Sequence, residues 1–228
     1  MSVLTSSDPV VTGHADTRSG GIAALVAAAT FLVGIALYAT TLSDYTADIS
    51  ADRAVDLVIG HQTTLFAWYL VIFLVFGIAL VPLVRALHHR LHDREPALAD
   101  TAAVFGYVWA GLMLATGMIQ NVGIAAVVDA AGRDADHAAA VWASIDAVAD
   151  GLGGGNELVG GMWVLLVSIS ALRTNALPRA LSITGVVSAV AGLVTVVPGL
   201  TDVGMAFGLG LIVWFAWLGA TLLRASAR

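Results

Sequence analysis

Cysteine and lysine are both missing from this 228-residue chain, and glutamate occurs only at Glu95 and Glu157. Without cysteine there are no disulfides, no thiolate metal sites and no thiol redox chemistry. Without lysine every cationic side chain apart from histidine is an arginine, and Schiff-base chemistry, including a retinal-type link, is excluded. Charge is scarce as well: charged residues make up 11% of the chain, against about 25% in a soluble domain. A net charge of −6 argues against a nucleic-acid partner.

What fills the chain instead is hydrocarbon, with 59% apolar residues and a mean hydropathy of +0.90. In lipid only helices and closed barrels satisfy every backbone group, and barrel strands alternate apolar and polar residues over about ten positions. The apolar runs here are long and unbroken, so the expected fold is all-α, a polytopic bundle of six transmembrane helices. The first run, from Gly21 to about Leu42, exceeds the roughly 7 to 15 residues of a signal-peptide core and reads as a retained span. The polar segment before it, within residues 1–20, reads as a disordered cytoplasmic tail, leaving residues 21–225 as a single membrane domain.

At about 20 apolar residues per crossing, the spans are expected near 21–42, 57–84, 102–127, 156–172, 180–199 and 204–223. In this layout Arg18, Arg85, Arg90, Arg94, Arg173, Arg179, Arg224 and Arg228 fall on one side, and only Arg53 and Arg133 on the other. The positive-inside rule then puts both termini in the cytoplasm. The opposite loops are acidic, with Asp44, Asp48, Asp52, Asp56, Asp129, Asp134 and Asp136. Before the fourth span, Ala138 to Asp150 reads as a short amphipathic helix on the outer surface, stopped by Gly151, Gly153, Gly154 and Gly155. One long broken helix dipping into the membrane is the alternative.

Polar groups inside spans are expensive, so their positions carry information. His61 and Gln62 fall near the outer start of the second span, Gln120 and Asn121 near the outer end of the third, and Asn156 and Glu157 open the fourth. At 1.5 Å per residue Glu157 stands about 24 Å above Arg173, and Gln120 about 30 Å above Asp100. On that count these groups share the outer third of the bundle, with Tyr38 and Asp202 at the same level and Asp146 and Asp150 peripheral. Gly153, Gly154, Gly160 and Gly161 around Glu157 mark a packed helix face that turns the carboxylate inward. The plainer alternatives are that Asn156 and Glu157 only cap a helix, that Asp146 and Asp150 form a solvated face, and that His61 is interfacial.

A divalent ion held by one histidine with Glu157 and Asp146 or Asp150 has weak support, because no H-x-x-x-H or H-E-x-x-H spacing accompanies that cluster; no metal is assigned. His88, His89 and His92 belong to a basic cytoplasmic segment suited to anionic headgroups. Gly151 to Gly155 follows no strand and has no G-K-[ST] ending, so it is no phosphate loop. No cofactor is indicated.

The run Asn156-Glu157-Leu158-Val159-Gly160-Gly161-Met162-Trp163, followed by Leu177-Pro178-Arg179-Ala180-Leu181 and the closing Trp214 to Gly219 segment, resembles a family of uncharacterised six-helix prokaryotic membrane proteins, the domain of unknown function 4386 type. The likeness is clearest over residues 150–228. It implies one six-span domain in a prokaryotic plasma membrane and transfers no catalytic residue. Three functions therefore stand open: binding, sensing or translocating a small polar ligand or ion in an outer-third cavity; intramembrane catalysis on a lipid or lipid-linked substrate at the outer leaflet, with Glu157 as general acid or base and His61 beside it; or service as an accessory subunit. Beyond the lipid bilayer, the partners left open are a second membrane protein or another copy of the chain.

Overall fold

The computed structural model describes residues 9–43, 49–153, 155–197, 199–200 and 203–227, with side chains from residue 15 onward except at 153, 155 and 156. Among the described residues every regular element is helical: α1 Pro9–Thr40, α2 Ala51–Gly60, α3 Gln62–Tyr69, α4 Phe76–His92, α5 Pro96–Ala131, α6 Ala135–Gly153, α7 Gly155–Thr174, α8 Arg179–Val194 and α9 Gly204–Ser226. A π turn, Leu70–Val75, joins α3 to α4, making one continuous helical rod from Gln62 to His92.

Among the described residues five helical segments are long and apolar enough to cross a membrane: Ala15–Thr40, Gln62–His92, Pro96–Ala131, Ala135–Thr174 and Gly204–Ser226; the apolar helix Arg179–Val194 is shorter. Their outer walls carry exposed Leu32, Ile78, Val104, Val122, Val187 and Met205. Such a continuous apolar exterior is a membrane-facing surface, since soluble monomers avoid large exposed apolar patches.

Between helices in lipid the hydrophobic effect is largely absent, and close packing has to hold the bundle together. Here it does so through one aromatic cluster. Phe31 of α1 stacks edge-on against Phe76 of α4 at 5.3 Å, Phe76 against Trp109 of α5 at 5.1 Å, Trp109 against Trp163 of α7 at 5.8 Å, and Trp163 against Trp214 of α9 at 5.7 Å. Phe215 touches all five of these rings. Rings this large fit only where facing positions are small. A Cβ on Gly160 would stand 2.7 Å from the Trp109 indole, and one on Gly185 of α8 would collide with Ser168 Oγ and stand 2.6 Å from Trp214 Nε1.

The chain departs from the expected boundaries at several helix ends: α5 runs over Pro96–Ala131 rather than 102–127, and α8 stops at Val194 rather than 199. Helix α1 already begins at Pro9, inside the segment expected to be a tail, and it is tied down there: Asp16 accepts from Arg85 and pairs with His89, while Gly20 lies against Ala86. The second span starts at Gln62 rather than near 57. Leu57 to Gly60 belong instead to α2, and His61 breaks the helix at φ −127°, ψ 26°. Helix α6 runs over 135–153, longer than 138–150, and only one residue separates it from α7.

Helices α2 and α6 pack on the far end of α5 to form a second core, built from Leu42, Val55, Val58, Leu65, Ile124, Val127, Ala138 and Trp142. At 36 residues α5 is about 54 Å long, well beyond the roughly 30 Å of hydrocarbon, and this second core covers its far end.

Substituting Gly160→Val should lower stability by about 1–3 kcal/mol through overpacking against Trp109. Gly111→Ala, which would meet nothing within 4 Å, should leave it unchanged. Equilibrium unfolding in mixed micelles measures both, and equal midpoints would contradict the packing account.

Candidate functional site

Contacts between helices set the heights of the polar residues singled out from the sequence. Gly160 of α7 lies against Trp109 of α5. Gln120 is eleven residues outward of Trp109 and Glu157 three outward of Gly160, which separates them by about 12 Å. The ion pair Arg173–Glu95, 3.6 Å long, yields nearly the same offset: Glu157 stands about 24 Å above that level and Gln120 about 37 Å. A third contact, Gly117 with Phe73, raises His61 about 13 Å beyond Gln120. The residues expected at one depth are thus spread over three.

At the lowest level Glu157 is half-buried, its backbone carbonyl 3.0 Å from a Cβ built on Gly192 and its Oε1 4.0 Å from one built on Gly204. It sits where α8 ends and α9 begins. At the highest level His61 Nδ1 lies 3.3 Å from the Leu57 carbonyl, and exposed Gln62 donates to the Ile59 carbonyl at 3.1 Å. Both are engaged with the last turn of α2. Asp202 lies outside the described residues, as does the side chain of Asn156; Asp150 is exposed.

The middle level holds the polar groups that do meet. Gln120 of α5 is 6% exposed, and its side chain faces the Asp146 carboxylate of α6. Its Oε1, the Asn121 Oδ1 and the Thr116 Oγ1 have no hydrogen-bond partner among the described residues. Thr116 and Gln120 share one face of α5, being four residues apart, and Gly117 and Asn121 share the next. Gly117 is where α5 meets the π turn: a Cβ there would collide with Leu74 and stand 2.6 Å from Phe73. Turns of this type recur at functional sites. The sequence marked Gln120 and Asn121 but left Asp146 peripheral, because only the α5–α6 contact brings it in.

At the opposite end of the bundle the last turns of α4 form a polar hub. Arg90 Nε donates to the Ala176 carbonyl at 3.0 Å and Arg94 Nη1 to the Thr174 carbonyl at 2.7 Å, satisfying backbone acceptors at the end of α7. Asn175, at φ +55°, turns the chain between them. His89, Arg90, Asp93, Arg94, Asn175 and Ala176 line a cavity of about 410 Å³. Beside it, His88 Nε2 and His92 Nδ1 approach the same Asp100 Oδ1 at 2.8 and 3.1 Å. Sequence reasoning absorbed His88 and His92 into a basic segment. Their spacing of four, one turn apart on a helix, was the signal that they act together.

Arg90→Leu should cost about 1.5–3 kcal/mol, the range of hydrogen bonds to charged groups, because Arg90 is half-buried. Arg94→Ala, on the exposed rim, should cost less than about 1 kcal/mol. Unfolding midpoints in the reverse order would contradict this division.

A family model described as a domain of unknown function (DUF4386) matches residues 19–223. No curated protein and no solved structure matches the chain.

Proposed function

The chain belongs to the DUF4386 family, a membership that carries no activity with it, and from the geometry we propose a six-span membrane protein that binds a small donor-bearing ligand or cation between α5, α6 and the π turn. The observation that carries this reading is the trio of unpartnered oxygens, Thr116 Oγ1, Gln120 Oε1 and Asn121 Oδ1, next to the Asp146 carboxylate. A buried acceptor left without a donor costs about 1–3 kcal/mol. Three together on adjacent faces of one helix, beside a carboxylate, suit an ammonium group or a metal cation. Sensing or binding fits better than translocation, because the aromatic cluster closes the bundle below this level.

In this reading α8 is the sixth crossing, and both termini are cytoplasmic. Its support is that Gly21 of α1 packs on Leu223 of α9, so the first and last helices end at the same face of the bundle, which an even number of crossings requires. Arg85, Arg90, Arg94 and Arg173 gather at that end, as the positive-inside rule expects of the cytoplasmic face. The absence of native cysteine makes the topology directly measurable. An impermeant maleimide should label Ser144→Cys in intact cells and Ala227→Cys only after lysis; the opposite pattern inverts the protein.

For the ligand site, sodium, potassium, ammonium and methylammonium ions are suitable probes in a thermal-shift series. At least one should stabilise the wild type, with the shift lost in Gln120→Leu and in Asp146→Asn and kept in His61→Ala. A wild type indifferent to all four, or a shift untouched by Gln120→Leu, would sink the reading and leave ordered water as the occupant.

A further inference from the structure

We propose that His88, His92 and Asp100 form a divalent transition-metal site that ties the end of α4 to the start of α5. This site is independent of the ligand site above and lies at the opposite end of the bundle. The pairing begins in the sequence: residues four apart on a helix project from one face, one turn above the other, so His88 and His92 of α4 present their rings side by side, with centroids 4.9 Å apart. The connection to α5 is tight, Asp93 to Glu95, and Pro96 opens the next helix. That hairpin brings Asp100, in the second turn of α5, back across the two rings.

The resulting geometry is close to a coordination shell. His88 Nε2 lies 2.8 Å and His92 Nδ1 3.1 Å from Asp100 Oδ1, and one donor atom from each of the three residues lies within 4.8 Å of the others. Four donors at about 2.0–2.2 Å from a tetrahedral zinc stand roughly 3.3–3.5 Å apart. Two of the three separations are already near that value, and only side-chain rotation is needed to draw the donors around an ion. Among the described residues this is the one group of three such side chains that meets this condition.

Chemistry narrows the ion. Two imidazoles with one carboxylate suit zinc, cobalt, nickel or copper, whereas magnesium and calcium prefer all-oxygen shells. The neighbouring positive charges are largely diverted: Arg85 and His89 are engaged by Asp16, and Arg90 and Arg94 reach toward the backbone of the α7–α8 turn. The side chains are 27%, 44% and 59% exposed, so water can enter and complete the shell. Three protein ligands with a free position describe an exchangeable site, one that responds to metal supply, rather than a closed structural one.

The test uses the full-length protein in detergent or nanodisc, purified without a polyhistidine tag and stripped by chelator. Calorimetry with Zn²⁺ should show one site per chain, and Co²⁺ should give the visible absorption of a nitrogen- and oxygen-ligated ion, with Mg²⁺ giving neither. Loss of even an outer partner of a metal ligand costs about 10- to 100-fold in affinity, so His92→Ala and Asp100→Asn should each weaken Zn²⁺ binding by at least about tenfold. His89→Ala, which removes the adjacent histidine and no ligand, should bind as the wild type does. Because all three side chains are at least partly exposed, these variants are expected to fold, and size-exclusion profiles verify it. No Zn²⁺ binding by the folded wild type, or equal binding by wild type and the His88→Ala, His92→Ala double variant, overturns the proposal.

Discussion

The aromatic cluster around Trp163 is the contact on which the bundle depends. Water supplies no force between helices in lipid, so association rests on packing, and each aromatic pair adds about 0.5–1.5 kcal/mol beyond the area it covers. Phe31, Phe76, Trp109, Trp163, Trp214 and Phe215 draw α1, α4, α5, α7 and α9 onto one centre. The sixth apolar helix, α8, has no ring in it and joins through absence: Gly185 leaves room for the Trp214 indole, Gly192 for Phe207 and for the backbone of Glu157. The same contacts that close the core fix the helices' heights, and those heights decide which polar residues can meet.

Charged side chains consequently gather toward the two ends. Above the cluster, α5 is longer than a hydrocarbon layer is thick, and its far end is covered by α2 and α6. This is where Gln120 faces Asp146, with Asn121 next to it on α5. Below the cluster, arginines and histidines in and just after the last turns of α4 reach across to α1, α5 and the α7–α8 turn, so that three other segments are held by one stretch of chain. An ion bound at His88, His92 and Asp100 would stiffen the α4–α5 hairpin at the centre of that hub. The two ends are joined by rigid rods, the α3–α4 rod among them, whose π turn lies beside Asn121's face of α5 and whose last turns carry both histidines.

Composition and hydrophobic run length determined the fold class without help: a chain with 59% apolar residues and 11% charged ones has to be helical in lipid, because only hydrogen bonds internal to each segment satisfy its backbone there. Arginine placement was equally legible, since the side chains that crowd one end of the bundle are those the loops had already sorted. What sequence alone could not supply was register between helices. Counting 1.5 Å per residue from the nearest charge placed Glu157 and Gln120 at one depth; the packing of Gly160 on Trp109 and the Arg173–Glu95 pair put them about 12 Å apart. Height along a helix is a local property, whereas the offset between helices depends on which side chains interlock. For the same reason Asp146, peripheral in the sequence, faces Gln120 in the fold, and His88 and His92 acquired a meaning only when the α4–α5 hairpin delivered Asp100 to them.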